Sequence, residues 1–401
     1  MKILVVCQHY WPEPYPLADV CEGLAAMGHT VHVVTDVPNY PMGNIYDDYR
    51  HRKNRRQVHN GVQITRTFTV GRRNNIFFRL LNYYSYAISS TLFVRGLKEE
   101  YDVVYTNQSS PVMMVSAAVA YAKKHKKKCV LYCMDLWPAS LAAGGIRPGS
   151  LIYRIFNRIS RKLYRLTDRI LISSEMFRNY LTEQFDIGDD AIAYLPQYAS
   201  AAFEEALPPR QTDVFVNLMF AGNVGAAQCL STVLEAAALL KEETRIRWHI
   251  VGDGSDLERL KSLAEQKKLD NVCFHGRKPL NEMPAYYAMA DAMLVTLTGD
   301  PFISLTLPAK VQTYMAAGKP IIASANGEIP RVIRDSGCGY CAPAEDPVSL
   351  AEAARQFLLD TDKERFGINA RKYYETHFSR GMYLSKLDTE LRNACADSNN
   401  V

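Results

Sequence analysis

Short apolar runs rich in β-branched residues recur along the chain, each followed by a stretch of helical periodicity. Runs at 2–6, 31–35, 103–106, 129–133 and 169–173 predict buried strands, and the spacing between them predicts helices at 17–27, 112–124 and 152–166. The pattern then restarts. Strands are expected at 216–221, 247–251, 272–274, 292–296 and 320–323, with amphipathic helices such as 230–241, 257–266 and 283–290 between them. Alternation of this kind predicts an α/β protein whose parallel sheets are covered on both faces. Two such sets predict two doubly wound domains, 1–199 and 200–380. The break falls near Pro208-Pro209, a pair that suits neither strand nor helix. A last helix, about 381–401, is expected to pack back on the first domain. Open parallel sheets bind ligands outside the carboxyl ends of their strands. Two facing domains would put a cleft there, so the loops after the strands are where chemistry is expected.

The first of these loops, Cys7-Gln8-His9-Tyr10-Trp11-Pro12-Glu13-Pro14, lacks the G-x-G-x-x-G that seats a dinucleotide on the next helix. A nicotinamide or flavin site in this half is therefore not expected. Asp36-Val37-Pro38-Asn39-Tyr40-Pro41 follows the second strand. Its Asn and Tyr suit a hydroxylated ligand and suit loop shaping equally well. Asp135-Leu136-Trp137-Pro138 follows a predicted central strand, where a carboxylate can orient a sugar hydroxyl or take its proton. In the second half, Gly222-Asn223-Val224-Gly225 and Val251-Gly252-Asp253-Gly254 end strands in turns where backbone N–H groups can approach phosphate oxygens. Lys310 stands in the first turn of a predicted helix. A cation there opposes the helix dipole unless an anion is present, which points to phosphate.

Charge divides along the chain. The net charge is +5, but residues 1–200 carry 25 Lys and Arg against 16 Asp and Glu, and residues 201–401 carry 22 against 26. The segment from Gly71 to Lys98 is both basic and aromatic, which fits an anionic lipid surface as well as a core helix with solvated arginines. No nucleic-acid-binding module is evident. No run reaches the ~18–20 apolar residues of a membrane span. The opening meets polar Gln8-His9 too early for a signal peptide, so a cytoplasmic protein touching the membrane from that side is expected. The nine cysteines read as reduced. Cys338-x-x-Cys341 has no second pair to complete a zinc site and reads as a turn.

Taken in order, several segments resemble the family 4 retaining glycosyltransferases of the GT-B fold, and among them bacterial O-antigen and capsule transferases of the N-acetyl-L-fucosamine transferase type. The resemblance spans nearly the whole chain. It rests on Gly28-His29-x-Val31-x-Val33, Pro38-Asn39-Tyr40-Pro41-x-Gly43, Asp135-Leu136-Trp137-Pro138, Gly222-Asn223-x-Gly225, Val251-Gly252-x-Gly254 and Met315-Ala316-Ala317-Gly318-Lys319-Pro320. It implies two Rossmann-like domains, an acceptor site in the first, a nucleotide sugar, usually UDP-linked, in the second, and no metal cofactor. Carried onto this chain, it implies donor contacts from Gly222, Asn223, Gly225, Gln228, Gly252, Gly254, Arg277, Lys310, Gln312, Thr313 and Glu328. It implies acceptor contacts from Tyr15, Asp19, Asn39, Tyr40, Asp135 and Trp137, with Asp135 and Lys310 catalytic. Two departures stand out. The family's two glutamates, eight positions apart, correspond to Leu305 and Thr313, and its diphosphate-clamping Arg and Lys correspond to Asn223 and Gln228. Lys310 then restores the charge, and Gln312 or Thr313 meets the ribose.

The function expected from this resemblance is retaining transfer of an N-acetylated amino sugar from a UDP-sugar to an undecaprenyl-pyrophosphate-linked saccharide. The enzyme would act in capsule, O-antigen or exopolysaccharide synthesis, peripheral on the inner face of the cell membrane. A sugar-nucleotide epimerase of the same fold and a catalytically inactive sugar-nucleotide-binding partner are the competing readings.

Overall fold

A computed structural model describes all residues except 74, 206, 209–213 and 399–401. Pro209, half of the predicted break, lies outside the described residues, as do the last three residues of the predicted C-terminal helix. The chain divides into two compact units, Met1–Leu195 with Leu384–Val401, and Pro196–Tyr383.

The first unit is built on eight strands: β1 (Lys2–Val6), β2 (Thr30–Thr35), β3 (Arg56–His59), β4 (Val62–Arg66), β5 (Val103–Gln108), β6 (Lys128–Cys133), β7 (Arg169–Ile172) and β8 (Ile192–Tyr194). Their order is β3-β4-β2-β1-β5-β6-β7-β8, parallel except for the β3–β4 pair. Ile3 of β1 pairs with Val31 on one side and Val103 on the other. This central place explains why Ile3 to Val6 form an unbroken apolar run with no exposed surface. The β3–β4 hairpin was not expected from apolar periodicity, because β3 reads Arg-Gln-Val-His. Its turn, Asn60-Gly61, has positive φ at both residues (46° and 81°), the geometry that Asn-Gly favours in tight hairpins. A polar outer strand also discourages edge-to-edge pairing. The helix Arg380–Ser398 joins this unit from Leu384 onward. Leu387 and Leu391 are buried, and Glu390 accepts from Arg169 Nε (2.7 Å) and Nη2 (3.1 Å).

The second unit carries β9 (Val216–Ala221), β10 (Ile246–Val251), β11 (Val272–Gly276), β12 (Ala292–Thr296), β13 (Ile321–Ser324) and β14 (Gly339–Ala342) in the order β11-β10-β9-β12-β13-β14. All are parallel. Trp248, Phe220, Leu294 and Phe357 anchor a core with no exposed surface. Cys338 is buried just before β14 and Cys341 is exposed on it, both as free thiols. The strands of each sheet stay hydrogen-bonded in this order, though β9 and β12 pair only through Leu218–Ala292 and Met219–Met293.

Candidate functional site

In the first unit, the loops after β1 and β2 are tied together by one carboxylate. Glu13, buried, accepts from the backbone N–H groups of Asn39 and Tyr40 through Oε1, both at 2.6 Å. Its Oε2 meets His9 Nδ1 at 2.9 Å. Asp36 lies 4.0 Å from the same His9 nitrogen and accepts from Asn39 Nδ2 at 3.0 Å. Burial, reinforced by the Glu13 charge, pushes the Asp36 carboxyl well above its ordinary range. Arg66 stands beside the cluster, donating to the carbonyls of Trp11 (2.5 Å) and Asp36 (3.3 Å). His9, Glu13 and Asp36 are close enough together to hold a metal ion. Their facing atoms already serve one another and the loop backbone, so the set is a hydrogen-bonded brace.

That brace carries the aromatic surface above it. Tyr15 stacks on His9 at 4.9 Å between centroids and 7° between planes, and Tyr40 tilts against both rings. The Arg72 guanidinium lies 5.7 Å from the Tyr40 ring and 5.8 Å from that of Tyr83. Tyr15 and Tyr40 are half-buried, the exposure that suits stacking against a sugar. Asp19, also half-buried, stands in the first turn of the helix Leu17–Ala26. Asn39 is placed differently from expectation. It has no exposed surface, and its side chain is taken up by Asp36, the Val37 carbonyl, Arg72 N–H and Asn82. It shapes the loop from within. Glu13→Ala would leave the buried Asn39 N–H and the part-buried Tyr40 N–H without their acceptor and remove the nearer partner of His9, so it is expected to cost about 2–4 kcal/mol in urea unfolding. Glu13→Gln, which keeps an acceptor oxygen, should cost clearly less.

Asp135 follows β6, half-buried. Its carboxylate accepts from the Ser140 hydroxyl and, at 3.1 Å, from Trp137 Nε1. Gln108 Nε2 holds its carbonyl at 2.8 Å. Burial raises its pKa to about 6, against the hydrogen bonds from Ser140, Trp137, Ser110 and the Leu136 N–H that pull it down. A carboxylate balanced this way is ionised at neutral pH yet basic enough to take up a proton. Trp137, expected to meet the acceptor, is buried. Its indole donates to Asp135 and to Ser110 Oγ (3.1 Å) and sits edge-on to Phe156. It orients Asp135 from below.

In the second unit the glycines are required by close approach. Gly222 and Gly252 have φ of 146° and 148°, and a β-carbon on Gly252 would overlap the Gly222 carbonyl. One on Gly254 would overlap that of Val224. The loops after β9 and β10 are thus packed backbone on backbone. Gln228 Oε1 accepts from Gly225 N–H at 3.2 Å, and Asn223 is exposed beside it. Lys310, near the start of the helix Ala309–Ala316, sends its chain under this turn. Its Nζ lies 3.9 Å from the centroid of the Phe220 ring and 3.3 Å from where a β-carbon of Gly222 would stand. The amine is buried and makes no hydrogen bond among the described residues. Burial alone lowers its pKa from 10.5 to about 7. A buried amine of this kind is costly to charge unless an anion joins it.

Two further donor expectations fall differently. Gln312 has no exposed surface, so a ribose would meet half-buried Thr313 first, whose hydroxyl bonds back to the Ala309 carbonyl at 2.9 Å. Glu328 is fully buried, with its oxygens on Arg331 at 2.5 and 3.4 Å. It braces the start of the helix Glu328–Ser336. Arg277 is exposed just after β11. The Glu13 brace escaped sequence reading, since its members lie in loops that only the β1–β2 pairing brings together.

A family model described as Glycosyl transferases group 1 matches residues 212–373, and one described as Glycosyltransferase Family 4 matches residues 17–197. The chain is a GT-B glycosyltransferase. Across most of its length this transferase is similar to a probable glycosyltransferase, WbjE, of Pseudomonas aeruginosa, at 28% identity over 68% of the chain and 70% of that protein. It is also similar to a putative colanic acid biosynthesis glycosyl transferase, WcaI, of Escherichia coli, at 25% identity over 98% and 100%. Its fold is shared with Anabaena Alr3699/HepE, solved in complex with UDP (TM-score 0.70, 13% identity, 98% and 100% covered). A sucrose-phosphate synthase of Thermosynechococcus elongatus has the same fold (TM-score 0.71, 16% identity, 99% of each chain).

Proposed function

We propose that this transferase moves an N-acetylated amino sugar, with retention, from a UDP-sugar to an undecaprenyl-pyrophosphate-linked saccharide, in capsule, O-antigen or exopolysaccharide synthesis. The observation that carries the donor half is the unpartnered Lys310 amine under the Gly222 turn. A diphosphate supplies the missing counter-charge, and the same amine then stabilises the charge that develops on the leaving group. The UDP and UDP-glucose complexes of Anabaena Alr3699/HepE support a uridine donor. The names of the colanic acid protein and of an Erwinia amylovora amylovoran biosynthesis glycosyltransferase support an extracellular polysaccharide product.

The acceptor binds the first unit, its sugar against Tyr15 and Tyr40 and its hydroxyl at Asp135. Exposed Asn223 and Arg277 and half-buried Gly225 and Gln228 meet the donor, Thr313 meets the ribose, and no metal takes part. The enzyme works on the inner face of the cell membrane. No helix among the described residues is long and apolar enough to cross one.

A thermal-shift screen with UDP, GDP, ADP and several UDP-sugars tests the donor. A saturating native-state ligand at 100 times its Kd adds about 2.7 kcal/mol, a shift of a few degrees. Uridine ligands are expected to give it. A shift with guanosine ligands only would overturn the donor assignment, and epimerised donor formed without acceptor would overturn transfer.

A further inference from the structure

The helix Ile76–Gly96 turns a row of large apolar side chains to solvent. One face carries Phe77, Leu81, Tyr84, Ile88 and Leu92, spaced three or four apart and between 38% and 63% exposed. Its inward face carries Asn82, Tyr86, Ser90 and Val94, all without exposed surface. Apolar side chains thus stand on the outward face as well as the inward one, where a helix on the surface of a globular unit is usually polar. Scattered exposed leucines need no explanation, but a continuous stripe does. A second helix, Leu151–Tyr164, exposes Leu151, Ile152 and Ile155 at its start. Both helices pack against the same short turn, Val112–Val115, so the two helices stand near each other on the first unit.

The charge around these surfaces has one sign. The segment 71–98 holds Arg72, Arg73, Arg79, Arg95 and Lys98, and no Asp or Glu. The segment 144–167 holds Arg147, Arg154, Arg158, Arg161, Lys162 and Arg165, again with no acid. Of these cations only Arg165 has an acidic partner among the described residues, Asp186 at 2.9 Å. Cations therefore flank apolar side chains without counter-charge. A second copy of the chain meeting this face about a two-fold axis would bring like charges together. A surface that is apolar in depth and anionic at its rim satisfies both parts, and an anionic bilayer is such a surface.

We infer that the stripe of the helix Ile76–Gly96, together with the start of the helix Leu151–Tyr164, is the face by which this enzyme docks on an anionic membrane. This rests on the lipid-linked acceptor proposed above and names the surface that meets its bilayer. The helix is bonded directly to the acceptor loops. Asn82 accepts from Gln8 (2.7 Å) and donates to Asn39 Oδ1 (3.3 Å), and Arg72, just before it, lies over Tyr40. Docking through this face ties the loops of Tyr15 and Tyr40 to a membrane-bound helix, within reach of a lipid-borne sugar.

The test is co-sedimentation of the full chain with vesicles of phosphatidylglycerol and phosphatidylethanolamine, against vesicles of phosphatidylcholine alone. The double variant Leu81→Glu, Ile88→Glu changes only exposed side chains. It should partition on anionic vesicles roughly tenfold or more weakly than the parent, with an unchanged melting temperature. Ile368→Glu, which alters an exposed apolar residue of the second unit, should bind as the parent does. Parent protein that ignores anionic vesicles, or a double variant that binds them equally well, overturns the proposal. A parent dimer in light scattering that the double variant dissolves overturns it in favour of a second copy. Transfer to a short-chain, water-soluble pyrophosphate-linked acceptor, measured without vesicles, reports on the transferase reading separately. That activity should be the same in parent and double variant.

Discussion

Lys310→Met is expected to give a protein that is more stable than the parent and almost inactive. The parent holds an amine in a place that lowers its pKa from 10.5 to about 7 through burial, with no counter-charge to offset the cost. Each unit of such a shift corresponds to about 1.4 kcal/mol, and relaxation on charging reduces the realised cost, so about 2–4 kcal/mol is at stake near neutral pH. Met fills a similar volume, keeps contact with Phe220 and carries no charge. The pH dependence fixes the sign. Because the folded pKa lies below the unfolded one, the unfolded chain binds more protons between about pH 7 and 10.5. Parent stability therefore rises with pH across that window, and the advantage of Met, largest at pH 7 and below, shrinks toward pH 10.

Donor affinity should show the opposite trend. A diphosphate favours the charged amine, so binding a UDP-sugar above about pH 7 takes up a proton, and affinity should weaken by up to tenfold per pH unit. In Lys310→Met this dependence disappears and kcat/KM falls by about 10²–10³. Calorimetry across pH, beside steady-state kinetics, reads all three effects. A variant that is less stable than the parent, or fully active, removes Lys310 from the donor site.

The contrast between Lys310 and Gln312 shows how far the sequence could be read. Lys310 stood out because charge and helix position are local properties, visible in a few residues. Gln312, two positions on, is equally polar, but its fate depends on which side of the helix packs inward. Asn39 and Trp137 lie in the expected loops, and Glu328 opens a helix, and all three turn inward, because side-chain direction is a tertiary property. The strands were legible wherever both faces are buried, as in β1 and β9, whose predicted and observed bounds coincide. The polar β3 had no apolar period to detect, and only Asn60-Gly61 marked its turn.

Asp135→Asn is expected to lower kcat by about 10²–10³, and its pH profile separates a reacting carboxylate from a structural one. With a pKa of about 6, the parent should lose activity about tenfold per pH unit below that value as the carboxylate takes up a proton. The variant should lack this limb. Folding is affected less. The raised pKa means that the folded state prefers the protonated acid, so parent stability falls as pH rises from 3.8 to about 6, and removing the charge relieves that. The relief is offset because the Asn amide can face the Trp137 indole N–H as donor against donor. Trp137→Phe completes the argument. It leaves the carboxylate in place but removes one hydrogen bond that lowers its pKa. The acid limb should then move to higher pH while the plateau rate changes little. A structural Trp137 would lower the plateau without moving the limb. Loss of the limb in Asp135→Asn, with its displacement in Trp137→Phe, would assign the ionisation to Asp135 itself.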